Sequence, residues 1–385
     1  METVMSDRAM QKKRMYSLDT LKVVITCLVI AHHASQAYGP TGGSWVYHNS
    51  NGIVQWLGNF MAVNMSFMMG LFFMISGFFL PASFKGQTLG SFTGKKLNRL
   101  MIPVLIIMFA IVPVYFYIAD MLHAPSRIGF FAYYFFNYLG EFRISYEHGW
   151  YLLHLCLYSV GYAVVKTLLK NRKAKVLPFK TYYVFVLSLL VCVVSYFVRL
   201  AFPIDRWVNL LGFFALEPAH VPQYVLFFSF GVLAGENNYF ETISKKTGCM
   251  LACIGAVMAL LIYLGDWVGP VQGFIWRYWV LYESFMAAFL AVGLIIVFRE
   301  FFSGTSKLQN ILASSAFTAY ILHNLFVVPF QVLLDSSPLG PWARFIAVSA
   351  LSIVCAFASA YLFLHGKTAM RQLWNKRNTG TAISG

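Results

Sequence analysis

Residues 18–33 read Leu18-Asp19-Thr20-Leu21-Lys22-Val23-Val24-Ile25-Thr26-Cys27-Leu28-Val29-Ile30-Ala31-His32-His33, an apolar run that carries an acid, a base and two histidines. Hydrocarbon tolerates such groups poorly, so their presence in an otherwise apolar helix points to chemistry. At 3.6 residues per turn Asp19, Lys22 and His33 fall within about 60° of one another, and His32 points elsewhere. His33 lies about 16 Å beyond Lys22 at 1.5 Å per residue. The face therefore predicts a polar path leading inward from one membrane surface.

The rest of the chain has the composition of a bilayer protein. Of 385 residues, 59% are hydrophobic and only 11% charged, with mean hydropathy +0.66, too much apolar surface for a soluble protein. The net charge of +15 comes from short basic clusters between apolar spans, without the aromatic-interleaved basic domain of a nucleic-acid binder. No nucleic-acid partner is expected. The six cysteines, Cys27, Cys156, Cys192, Cys249, Cys253 and Cys355, lie mostly inside apolar spans without metal-ligand spacing, which predicts neither a disulfide nor a metal site.

Runs long enough to cross about 30 Å of hydrocarbon occur near 18–38, 54–80, 100–119, 149–169, 182–201, 222–236, 249–265, 276–298, 310–334 and 342–364. They predict an all-α polytopic bundle of about ten transmembrane helices. Two shorter aromatic stretches, 130–139 and 207–216, read as interfacial or re-entrant segments that could roof a site. Lys/Arg content alternates between successive loops, as positive-inside topology requires. One side receives Lys12, Lys13 and Arg14, then Lys85, Lys95, Lys96 and Arg99, then Lys170, Arg172, Lys173, Lys175 and Lys180. Lys245, Lys246, Arg299, Lys307 and the tail's Lys367, Arg371, Lys376 and Arg377 follow on the same side, while the opposite loops hold only Arg127, Arg143 and Arg206. Both termini are placed in the cytoplasm. Two adjacent histidines make residues 18–37 a poor signal-peptide core. The organisation read is a cytoplasmic segment 1–17, one membrane domain 18–366 and a basic cytoplasmic tail 367–385.

Lys96 and Arg99, with Lys95, begin the third span at its cytoplasmic end, three apart on one helical face. Beside a helix N-terminus they suit a phosphorylated ligand; plain positive-inside anchoring explains them too. His33 reads as a general base, and His32 as a packing or positioning residue. His154 and His323 fit interhelical hydrogen bonding. Trp150 and Tyr151 fit an aromatic belt at the mouth of the fourth span, but Glu147 and His148 beside them suit contact with a polar acceptor. Glu283 inside the eighth span reads as half of a structural ion pair, with Arg199 or Arg277 as its partner.

These motifs together resemble the acyltransferase-3 family of membrane acyltransferases, including its glucan biosynthesis protein C-like branch. Leu18-Asp19-Thr20-Leu21-Lys22, ten residues, then His33 is similar to the family's Leu-Asp-x-Leu-Arg…His, with Lys22 in place of the arginine and without its bidentate fork. Phe72 to Leu80 is similar to Phe-Phe-x-x-Ser-Gly-Phe-x-Leu, with Ser76 and Gly77 in place. Lys96 to Arg99 resembles Arg-x-x-Arg, His148 to Leu152 resembles His-x-Trp-Phe-Leu, and Ser315 to His323 resembles Ser-x-x-x-x-Tyr-x-x-His. The resemblance implies transfer of an acetyl or succinyl group from cytoplasmic acyl-CoA, a co-substrate rather than a resident cofactor, to a carbohydrate hydroxyl across the cell membrane.

On that reading His33 is catalytic; Lys22, Lys95, Lys96, Arg99 and Ser76 bind the donor; Glu147, His148 and Trp150 receive the acceptor; and Asp19, His32, Glu283 and His323 support them. Ser76 could instead simply permit close helix packing. His33 could also relay the acyl group covalently. Two rival classes are a polytopic transporter of a glycan or acylated molecule and a non-catalytic family member.

Overall fold

The computed structural model describes residues 15–40, 45–49, 52–124, 127–169, 177–210, 214–304 and 306–380. The basic residues at 12–14 and 170–175 lie outside them, as do the side chains of 367–380. The helices are α1 Tyr16–Gln36, α2 Trp56–Phe84, α3 Leu89–Ile106, α4 Val112–His123, α5 Trp150–Leu168 and α6 Tyr182–Ala201. They continue as α7 Val221–Asn237, α8 Lys245–Tyr263, α9 Trp279–Phe301, α10 Lys307–Leu322, α11 Asn324–Leu333 and α12 Pro341–Gly380. A π-helical turn, Ile107–Ile111, joins α3 to α4 in one span.

Among the described residues eight helices are long and apolar enough to cross a bilayer, and one bent pair makes nine. The fold is an all-α polytopic membrane bundle. The sixth expected crossing, 222–236, is α7, whose 17 residues rise about 25 Å, less than the full hydrocarbon thickness of about 30 Å. It packs along α2 at backbone distance, because Gly231 and Gly235 face the carbonyls of Met74 and Phe78, and Gly77 faces that of Phe228. Small residues permit such approach in lipid, where packing rather than the hydrophobic effect joins helices.

The expected single span 310–334 is instead α10 and α11, bent by 62°. The His323 ring at the break explains the bend. Its Nδ1 donates to the Tyr320 carbonyl at 2.6 Å, and a side chain inserted into the helical ladder is a recognised cause of kinks. The last helix also passes residue 366 and runs to Gly380. Of the two aromatic stretches, 130–139 folds as a short helical piece, Phe130–Ala132 followed by a π-helical Tyr133–Leu139. The other becomes an antiparallel hairpin, β1 Val208–Leu210 and β2 Phe214–Leu216, with Val208 opposite Leu216.

Local sequence sets the helix starts on the lysine-rich side. The Thr88 hydroxyl accepts from the Ser91 N–H of α3 at 3.3 Å, and Ser244 accepts from Thr247 of α8 at 3.1 Å. Ser306 and Gln309 form a reciprocal capping box on α10. Each satisfies amide donors that a helix N-terminus leaves unpaired.

Candidate active site

Two cavities lie along α1. The first, about 580 Å³, opens among the foot of α1, the C-terminal half of α2, the middle of α3, the first turns of α5, and α10. Lys96 and Arg99 lie about two turns inside α3, which starts at Leu89, and not at the helix N-terminus expected for them. Asp19, Lys22, Ser76, Lys96 and Arg99 all line it, so five sequence-identified residues from three helices converge. Lys22 Nζ pairs with Asp19 Oδ1 at 2.7 Å and sits 5.3 Å from the centre of the Phe79 ring. Arg99 is exposed, and Lys96 stands 5.3 Å from the Phe92 ring. Lys95 turns away: its Nζ donates to Gln87 Oε1 at 2.8 Å at the surface.

The second cavity, about 350 Å³, lies at the other end of α1 and holds His32, His33, Glu147, His148 and Trp150 in its wall. The His33 imidazole stacks with two rings, Trp45 at 5.1 Å and 17° and His323 at 5.1 Å and 27°. Its Nδ1 lies 2.6 Å from Gln36 Oε1. An amide oxygen only accepts, so Nδ1 carries the proton and Nε2 the basic lone pair. Trp45 is itself pinned: its Nε1 donates to Gln331 Oε1 at 3.0 Å, while Gln331 Nε2 donates to the Ala34 carbonyl at 3.2 Å. The buried Arg344 steadies the same loop, donating to Asn49 Oδ1 at 2.8 Å and to the Ser337 carbonyl at 2.7 Å.

His148 is held at both ring nitrogens. Nε2 donates to the Ile321 carbonyl and Nδ1 accepts from Asn324 Nδ2, both at 3.0 Å. The geometry fits a shaping residue at the bent α10–α11 junction, where His323 meets it edge-on at 4.7 Å. Trp150 stacks on Tyr224 at 5.3 Å and 26°, making a flat aromatic wall. Glu147 accepts from the Ser145 hydroxyl at 2.7 Å.

Glu283 lines neither cavity. It pairs with Arg199 at 2.7 Å, the first of the two partners expected for it. That pair extends into a chain: His220 Nε2 is 3.6 Å from Glu283 Oε1, and His220 Nδ1 donates to Glu217 Oε2 at 2.8 Å. Burial lowers the pKa of His220, but hydrogen bonds to Glu217 and Glu283 outweigh it and hold His220 up at about 9. Burial pushes Glu217 up, and the His220 hydrogen bond and charge bring it below the usual carboxylate range.

Tyr320 lines both cavities. Its hydroxyl donates to the His148 carbonyl, and its ring meets Tyr151 edge-on at 5.9 Å. The Tyr151 hydroxyl is 2.9 Å from Ser76 Oγ, so an aromatic partition, tied on both faces, separates the basic cavity from the histidine cavity. Among the described residues no set of three or more His, Cys, Asp or Glu side chains is placed to hold a metal ion.

A family model described as an acyltransferase domain matches residues 15–361, from the foot of α1 into α12. The chain belongs to the acyltransferase-3 family. It is a multi-pass membrane acyltransferase. Searches of curated proteins and of solved structures return no match. Gln36, Trp45, Tyr151 as a partition residue, Tyr320, Asp205 and Glu217 were not singled out from the sequence as site residues. Gln36 had a detectable signal, lying one helical turn beyond His33.

Proposed function

We propose that this acyltransferase moves an acetyl or succinyl group from acyl-CoA to a hydroxyl of a cell-envelope or exported carbohydrate, within the plasma or inner membrane. The observation that carries the reading is the pair of cavities of opposite chemistry at the two ends of α1, meeting at Tyr320. Lys96 and Arg99, with Lys22 beside them, offer charge-assisted hydrogen bonds to the coenzyme A phosphates from the side that the lysine-rich loops mark as cytoplasmic. Trp150 offers an apolar plate for a sugar face, and Glu147 accepts from sugar hydroxyls.

In the reaction His33 Nε2 removes the acceptor hydroxyl proton as that oxygen attacks the thioester carbonyl. The tetrahedral intermediate then collapses by breaking the carbon–sulfur bond, and the imidazolium returns its proton to the thiolate. Gln36 holds the productive tautomer and Trp45 the ring plane. The Gln36 hydrogen bond leaves Nε2 with the lone pair that a general base needs and that a covalent relay would need as well; direct transfer is the reading adopted, as the route with the fewer steps.

The test is mass spectrometry of envelope and secreted glycans from cells lacking the protein, complemented with the native chain or with His33→Ala. An acetyl or succinyl mass increment that returns only with the native chain supports the reading and identifies the donor. Restoration by both chains removes His33 from catalysis. An unchanged glycan profile under every condition moves transport ahead of transfer.

A further inference from the structure

General-base catalysis puts a full positive charge on His33. The acceptor O–H bond breaks and an Nε2–H bond forms, so the imidazole is a cation until its proton passes to the departing thiolate. In a partly desolvated cavity an uncompensated charge is costly. In a Ser-His-Asp triad a carboxylate bonded to the histidine stabilises the imidazolium. Here the imidazole's hydrogen bond goes to an amide, Gln36 Oε1, which offers only a dipole, and among the described residues no carboxylate bonds to the ring.

What lies against the ring is aromatic. The Trp45 indole stacks with it at 5.1 Å and 17°, inside the roughly 6 Å at which a cation is attracted to the negative face of an aromatic ring, tryptophan being the strongest. Trp45 is only 8% exposed, so little water screens the contact. Its place is indexed to the base. Gln331 accepts the indole N–H at 3.0 Å, and its Nε2 donates to the His33 and Ala34 carbonyls at 3.4 and 3.2 Å. The same loop is tied down further along, where the Tyr47 hydroxyl donates to Asp335. The neighbouring histidines stay neutral, which confines the charge to His33. His148 accepts at Nδ1, and a second proton on the buried Nε2 of His323 would find no acceptor among the described residues.

We infer that Trp45 is a positioning residue that also acts electrostatically through His33: its indole face stabilises the imidazolium formed when the acceptor hydroxyl gives up its proton, the part a carboxylate plays in a histidine–carboxylate pair. The inference rests on His33 as the base, proposed above, and deepens it. The cationic attraction exists only while the ring is charged. It therefore lowers the transition state and not the bound ground state, and it raises kcat without changing KM for the donor.

Fluorinated tryptophans test this, because fluorine drains negative charge from the ring face with little change in size and makes the N–H a stronger donor to Gln331. The chain has nine tryptophans, so analogues with a rising number of fluorines are placed at position 45 alone, by nonsense suppression. Protein in lipid nanodiscs is supplied with acetyl-CoA, and in parallel with succinyl-CoA, and with envelope glycan from cells lacking the protein. Acceptor-dependent kcat is expected to fall stepwise with each fluorine, about tenfold over the series, at unchanged donor KM and Tm. Equal rates throughout the series, with His33→Ala slow, make Trp45 a packing residue and overturn the inference alone. A His33→Ala protein as fast as the native one overturns the base and the inference with it. Absence of turnover by the native protein with both donors overturns acyl transfer to this glycan and the inference together.

Discussion

At the scale of single residues, the proposed base His33 is held in one tautomer and one plane by its neighbours. Gln36 accepts from Nδ1 at 2.6 Å, and Trp45 and His323 stack against the ring. Replacing Gln36 with leucine frees the ring to populate the wrong tautomer. In a coupled thiol-release assay kcat should fall roughly tenfold, about 1.4 kcal/mol, with KM for the donor unchanged. Gln36→Glu supplies another oxygen acceptor and should recover most of the rate, an outcome that lost packing alone would not produce. The position of His33 was legible because a polar face on an apolar helix stands out by periodicity. Trp45 and Gln331 were not legible, since their contact spans 286 positions and an aromatic ring beside an apolar run reads as core.

Elements show the same division. The spans could be read from length and hydropathy, because lipid demands continuous apolar helices. The break at His323 could not, because it arises from a side chain taking a carbonyl of its own helix. Nor could the α2–α7 contact, where a Cβ on Gly231 would overlap the Met74 carbonyl. Gly231→Leu should therefore separate these helices and sharply reduce the folded, monodisperse fraction on detergent size-exclusion chromatography, since overpacking typically costs about 1–3 kcal/mol or more. The segment before α7 carries a pH dependence of definite sign. His220 titrates near 9 in the folded chain, above its ordinary value of about 6.5. Its contribution to stability is complete below about 6.5 and is lost as pH rises through about 9. Glu217 acts in the opposite sense, its contribution present above its ordinary range and lost as acid reaches its lowered pKa. Scanning fluorimetry in detergent should show Tm declining by a few degrees between about pH 7 and 9, and His220→Gln should flatten that decline.

Over the whole molecule, the site is two chambers and a partition. The cavity walls gather Lys22, Lys96, Arg99 and Ser76 at one end of α1 and Glu147, His148 and Trp150 at the other, while Lys95 stands outside both. The partition went unread because Tyr151 and Tyr320 sit in apolar helices 169 positions apart, where a tyrosine reads as packing. Yet a thioester brought to a polar cavity must be kept from water until an acceptor arrives. The Tyr320 ring touches both chambers, and its hydroxyl is tied to the His148 backbone. Truncating it widens the boundary at which the two chambers meet. Tyr320→Ala should then raise acceptor-independent hydrolysis of acetyl-CoA several-fold, water replacing the sugar hydroxyl as nucleophile, while acylation of the sugar falls. Tyr320→Phe keeps the ring and loses only the hydrogen bond, so its hydrolysis should stay near the native level. Thiol release measured with and without acceptor separates the cases. Equal hydrolysis by the native and alanine proteins would mean that the tyrosine wall does not guard the donor, and water exclusion would then rest on the acceptor filling the histidine cavity.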